Sequence, residues 1–331
     1  MNRYDFEPKW FIVLIFTLAG IFVGGLSLFL WLFNSQGLLN IQKIHPGNST
    51  YKFINPLLAV DTTAKNEFLE SPLFSSQLEG IITKSQKSNE IKNAAVYFRD
   101  LESGHWAGIN EDTNFSPGVL LKIPLMMAYL QQEAENPGSL TQKLVYESDN
   151  TSSVSNSLYI GRSYSIEELI DAMLIANDDM AANVLYDHVD KNALHALYSD
   201  LGVYFPEDKI HDDFLSIKQF ALFFRVLYNA TYLNREMSEK ALDILSRASL
   251  SDGLVLTLPK DLRISHRYHT RTYKEKDQTL IESHSCGIIY YPSHPYLLCV
   301  VGVSDNNQKI NNLFNQISEL VYRSFTNKYK K

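Results

Sequence analysis

The order of apolar patterns along the chain predicts an α+β domain: an amphipathic helix, two strands, a block of helices, three strands and a closing helix. Strands confined to the two ends of a domain assemble most simply into one five-stranded antiparallel sheet, built from both chain ends and packed against helices. The middle block then forms an inserted all-helical lobe. A second observation adds one N-terminal transmembrane helix, because residues 10–33 run for 24 positions without a charged side chain, more than the ~20 needed to cross a bilayer core. A third is composition: 331 residues, 45% hydrophobic and 20% charged, suffice for a sizeable core and exclude a collagen-like or disordered chain.

Taken from the N-terminus, the apolar run is flanked by Trp10 and Trp31, where indoles favour the headgroup region. It is too long for a signal-peptide apolar region, and no small-x-small cleavage site precedes Asn34, Ser35 and Gln36. Arg3 and Lys9 lie before it and Lys43 is the nearest basic residue after it, a slight bias toward a cytoplasmic N-terminus. Gly20 and Gly24 form a GxxxG pair that suits a homodimer through this helix. Residues 34–65 are polar, with Pro46, Gly47 and Pro56 as breakers, and read as a tether. The expected organisation is a cytoplasmic stub at 1–9, the membrane helix at 10–33, the tether at 34–65 and a folded domain at 66–331.

Within the domain, residues 66–84 place Phe68, Leu69, Leu73, Phe74, Leu78, Ile81 and Ile82 at helical spacing. Residues 94–101 and 106–110 alternate around Glu102, Ser103 and Gly104, a hairpin pattern. From Ser116, a suitable cap, and Pro117, the segment SPGVLLKIPLMMAYLQQEAE is apolar around most of its circumference and predicts a buried helix. Further helices are expected near 165–174, 179–189, 191–200, 215–229 and 238–247, strands at 263–268, 287–291 and 296–303, and a last helix at 309–325.

A net charge of −7, with basic residues scattered along the chain, argues against a nucleic-acid surface. Cys286 and Cys299 are the only cysteines, so a disulfide scaffold and a four-cysteine zinc site are both excluded. The pair flanks one hairpin and reads either as a disulfide outside the cytoplasm or as two small core residues. His266, His269 and His284 lack metal-ligand spacing, and no metal site is expected.

Three segments carry chemistry. The run from Val96 to Met126 leads a hairpin into the buried helix and contains Val119-Leu-Leu-Lys122; the second runs from Gly161 to Leu185 and contains Ala176-Asn-Asp-Asp-Met-Ala-Ala-Asn-Val-Leu185; the third is Pro259-Lys-Asp-Leu-Arg-Ile-Ser-His-Arg-Tyr-His269. Together they resemble the class A β-lactamase and penicillin-recognising serine hydrolase family, over about residues 70–325. That resemblance implies a β-lactamase-like fold, no cofactor, and a cleft where the family's Ser-x-x-Lys, Ser-Asp-Asn and Lys-Thr-Gly meet. In that family a serine attacks an acyl carbon, the lysine assists proton transfer, and two backbone N–H groups receive the oxyanion.

Carried over residue by residue, the nucleophile position is Val119, which has no nucleophilic atom, while Lys122 is retained. Asn177, Asp178 and Asp179 replace Ser-Asp-Asn, losing the proton-relaying hydroxyl and adding a carboxylate that favours a charged Lys122. Arg267, Tyr268 and His269 replace Lys-Thr-Gly, and the oxyanion donors would be the N–H groups of Val119 and Thr270. The degenerate catalytic positions are thus Lys122, Asn177, Asp179 and Arg267, and the expected ligand-binding positions are Val119, Tyr268, His269 and Thr270. Lys122 reads either as a remnant base or as a buried lysine paired with Asp179, and Arg267 as a carboxylate binder or a rim salt bridge. The family's Glu-x-x-Leu-Asn loop has no counterpart, since Glu207 sits in the wrong context. A literal Ser-Asp-Asn at 148–150 lacks the Ala-Ala-Asn continuation and reads as a loop.

The resulting expectation is a single-pass protein of the cytoplasmic membrane, N-terminus inside and domain outside. Its domain is read as a non-catalytic pseudoenzyme that binds a peptidoglycan-like cell-wall peptide or a protein partner. The alternative is an active serine hydrolase with a relocated nucleophile, at Ser116 or Ser265.

Overall fold

The computed structural model describes residues 51–55, 72–116, 121–147, 158–205, 213–249 and 253–329. The chain divides into two units, 1–49 and 50–331, and the described residues all belong to the second. The predicted membrane helix at 10–33, Val119, Glu207 and the triplet at 148–150 lie outside the described residues. Among the described residues, no helix is long and apolar enough to cross a membrane.

The main elements follow the predicted order, but the middle block is not all-helical: it carries short strands at Lys143–Val145, Ser163–Ser165 and Leu215–Ser216, paired in two-stranded sheets too short for an apolar alternation to mark. Helix α1 (Pro72–Lys87) leads into strands β1 (Asn93–Asp100) and β2 (Trp106–Ile109), then the short β3 (Asn114–Phe115) and helix α2 (Lys122–Glu135). The lobe continues through β4 (Lys143–Val145), β5 (Ser163–Ser165), α3 (Ile166–Leu174), α4 (Asp179–His188), α5 (Lys191–Asp200), β6 (Leu215–Ser216), α6 (Ile217–Tyr228) and α7 (Arg235–Ser246). Strands β7 (Ile264–Glu275), β8 (Gln278–Ile289) and β9 (Tyr296–Ser304) and helix α8 (Asn307–Tyr329) complete the domain. The main sheet is antiparallel, in the order β2-β1-β9-β8-β7, so strands from both ends meet where β1 pairs with β9.

Alternate side chains of the central strands feed two cores. Tyr97, Ile288, Leu297 and Val301 face the lobe, while Val96, Phe98, Leu298 and Val300 pack with Leu78, Ile82, Leu313 and Phe314 of α1 and α8. All nine residues of β9 are buried, which is why its sequence is a continuous apolar run without alternation. Residues 122–130 of α2 are likewise buried throughout, as its all-round apolar pattern requires. The lobe helices start on the caps their sequences provide: Ser165 with Glu168 and Ser216 with Gln219 form capping boxes for α3 and α6. Cys286 and Cys299 are directly opposite across β8 and β9 and are joined as a disulfide.

Several boundaries differ from the sequence reading. The strands expected at 263–268 and 287–291 are the inner halves of a much longer hairpin, turned at Lys276 and Asp277, with Glu275 opposite Gln278. The outer half, around Thr270 to Thr279, is largely exposed, so it carries no buried-face alternation to reveal it. The described part of α2 begins at Lys122, and the expected helix start at residues 117–120 lies outside the described residues. Residues 51–55, read as tether, pack on the domain, with Phe53 and Ile54 buried.

Candidate active site

Three elements converge at the seam between lobe and sheet. Lys122 stands at the start of α2 and is buried by the apolar helix that carries it. Asn177 and Asp178 lie in the bend between α3 and α4, and Asp179 is the first residue of α4. Asn177 adopts left-handed backbone (φ 57°), which asparagine tolerates better than most residues, and Asp178 caps α4 by accepting from Ala181 N at 3.0 Å. Arg267 and His269 lie on β7, the edge strand of the sheet.

The side chains meet as follows. Lys122 Nζ donates to Asp179 Oδ1 at 2.6 Å and to Asn177 Oδ1 at 3.2 Å. Arg267 donates from one terminal nitrogen to the same Asn177 oxygen and from the other to the Leu174 carbonyl at 2.9 Å. One asparagine oxygen therefore bridges two cations. Arg267 is turned inward, 4% exposed, and is therefore not a rim salt bridge. Asp178 is fixed from the lobe by the buried Tyr146 hydroxyl, which donates to its carboxylate at 2.7 Å.

Burial dominates the electrostatics. It lowers the Lys122 amine to about 8, against the hydrogen bond and charge of Asp179, which push upward. The added carboxylate acts in the expected direction, and desolvation outweighs it. Burial likewise lowers Arg267 to about 10, with Asp179 opposing. His269 is lowered to about 3, first by burial and then by His284, Arg267 and Lys122, so it is neutral at pH 7.

His269 stacks on His284, its register partner on β8, with ring centroids 6.4 Å apart. His284 Nε2 lies 2.8 Å from Glu282 Oε1, and Glu282 accepts two bonds from Arg271, which also donates to Asp213 at 3.1 Å. This chain was not anticipated from the sequence; the signal was the alternation Glu282-x-His284, which places both on one face of β8.

Tyr268 and Thr270 point the other way. Tyr268 packs in the core beneath α1 and α8, against Gly253, and Thr270 Oγ1 lies 3.0 Å from Ser283 Oγ. Their side chains are thus separated from Lys122 by the sheet, and only the backbone of Thr270 remains for the cleft side. Val119 is outside the described residues. No group of three or more His, Cys, Asp or Glu suited to a metal occurs among the described residues.

A lysine on a buried helix, an Asx-rich bend and a cation on an edge strand define the layout of a penicillin-recognising serine hydrolase. Residues 74–325 match the model of the Beta-lactamase enzyme family, and the chain belongs to that family. Solved structures agree in fold. The chain is 19% identical to a PBP-A mutant described as an acyl-enzyme complex with penicillin G, with a TM-score of 0.64 over 78% of this chain and 98% of that one. It is 18% identical to the TLA-3 extended-spectrum β-lactamase (TM-score 0.67, 76% and 99% covered) and 20% identical to a class A β-lactamase from Mycobacterium abscessus (TM-score 0.62, 76% and 99% covered). No curated protein matches the sequence.

Proposed function

We propose that this chain is a non-catalytic member of the family, a pseudoenzyme anchored by residues 10–33 with its domain outside the cytoplasmic membrane, where its cleft binds a cell-wall peptide or a protein partner. The observation that carries this reading is the ion pair of Lys122 with Asp179 at 2.6 Å, three residues after a valine at the nucleophile position. An amine engaged by a carboxylate, with valine in the sequence where the family has its serine, leaves no acyl-transfer step at that position. The inward turn of Arg267 adds to this, because both family cations serve the protein's own Asn177.

A relocated nucleophile finds no support at Ser265, whose fully buried hydroxyl donates to the Leu242 carbonyl at 2.7 Å. Ser116 is 4% exposed. The test is to incubate the full chain, in detergent, with insoluble peptidoglycan. Cosedimentation without release of soluble fragments is expected, whereas fragment release abolished by replacing one serine would contradict the reading.

A further inference from the structure

Residues 51–55 approach the domain 17 positions before α1 and are fixed by one side chain of α7. The carboxylate of Glu239 accepts from the backbone N–H groups of Lys52, Phe53 at 2.8 Å and Ile54 at 3.0 Å. Three successive amides on one carboxylate are charge-assisted bonds that a mobile tether would not keep. Phe53 and Ile54 are each 6% exposed and belong to the lobe-side core. On the far side, Arg263 donates to the Lys52 carbonyl at 3.1 Å and lies over the Phe53 ring, which meets Tyr290 edge-on at 5.5 Å. Asn55 N donates to the Tyr228 carbonyl of α6 at 2.7 Å.

These contacts close a ring. From Glu239 the path runs through residues 52–54 to Arg263 and Tyr290, whose hydroxyl is 3.4 Å from Ser265 Oγ. Ser265 then returns to α7 through the Leu242 carbonyl. Arg267 follows Ser265 by two residues on the same face of β7.

We propose that residues 51–55 are a strap that fastens α7 to the start of β7, with Glu239 as the positioning residue that sets where Arg267 meets Asn177. The strap lies against α6, α7 and the start of β7, away from α1 in the sequence by residues 56–71.

The test is hydrogen exchange of the full chain in detergent, comparing wild type with Glu239→Ala and Glu239→Gln. In Glu239→Ala, amide exchange at 52–54 is expected to rise at least tenfold and at 264–268 roughly threefold or more, with β1 and β9 unchanged. Glu239→Gln keeps one acceptor oxygen and is expected to recover part of the protection in both segments. Release of 51–55 without any change in 264–268 would overturn the positioning role, and unchanged exchange at 52–54 would overturn the strap. If Glu239→Ala loses protection in β1 and β9 as well, the comparison of 52–54 with 264–268 is read from Glu239→Gln on the same terms.

Discussion

Lys122 shows how far the sequence speaks at a single position. Its pairing with Asp179 follows from the alignment of the two motifs, whereas the inward turn of Arg267 depends on the Leu174 carbonyl, whose place is set by tertiary packing. The pair also has a pH signature. Below about 8, folded and unfolded chains both hold the Lys122 proton, and the folded state bears the full cost of a buried ammonium. Between about 8 and 10.5 only the unfolded chain keeps it, so this residue's contribution to stability rises with pH across that window, by about 3 kcal/mol in total. Asp179→Asn removes the opposing carboxylate, and the variant is expected to lose about 2 kcal/mol at pH 7 and less at pH 10 by urea unfolding. An equal loss at both pH values would contradict the assignment. His269 works in the acid range: from its ordinary 6.5 down to about 3, the unfolded chain takes up a proton that the folded chain refuses, so stability falls as pH drops. His269→Gln is expected to lose less stability than wild type between pH 6.5 and 4, which thermal unfolding at those two values would check.

Among the elements, those with local signals were legible and those held by distant partners were not. The capping boxes at Ser165 and Ser216 mark helix starts with residues three apart, and α3 and α6 begin there. Replacing Ser216 with Ala is expected to cost about 1 kcal/mol of unfolding free energy, since the hydroxyl both caps Gln219 N and is buried. An unchanged denaturation midpoint would mean that the cap is redundant. The outer half of the β7–β8 hairpin had no such signal, because Thr270 to Glu275 are mostly polar and none of them is fully buried on this edge strand. Residues 51–55 were hidden for the opposite reason: two apolar residues are too few to register as a pattern, and their fixing group, Glu239, is more than 180 residues away.

For the whole molecule, the order of patterns carried the architecture: strands at both ends of the domain and helices between them leave one antiparallel sheet as the economical solution, and β1 does pair with β9. The same reading puts an anchor at 10–33. The full chain is therefore expected to stay with membranes through an alkaline carbonate wash, and a chain lacking 10–33 to be released; release of the full chain would contradict the anchor.

The proposed pseudoenzyme keeps the family fold and lacks the family's acyl-transfer chemistry. Intact-mass spectrometry of the full chain in detergent after exposure to a penicillin tests this most directly. An unchanged mass is expected, because Val119 offers no nucleophile and Lys122 is engaged by Asp179. A mass increase equal to one penicillin, mapped by proteolysis to a single residue, would contradict it.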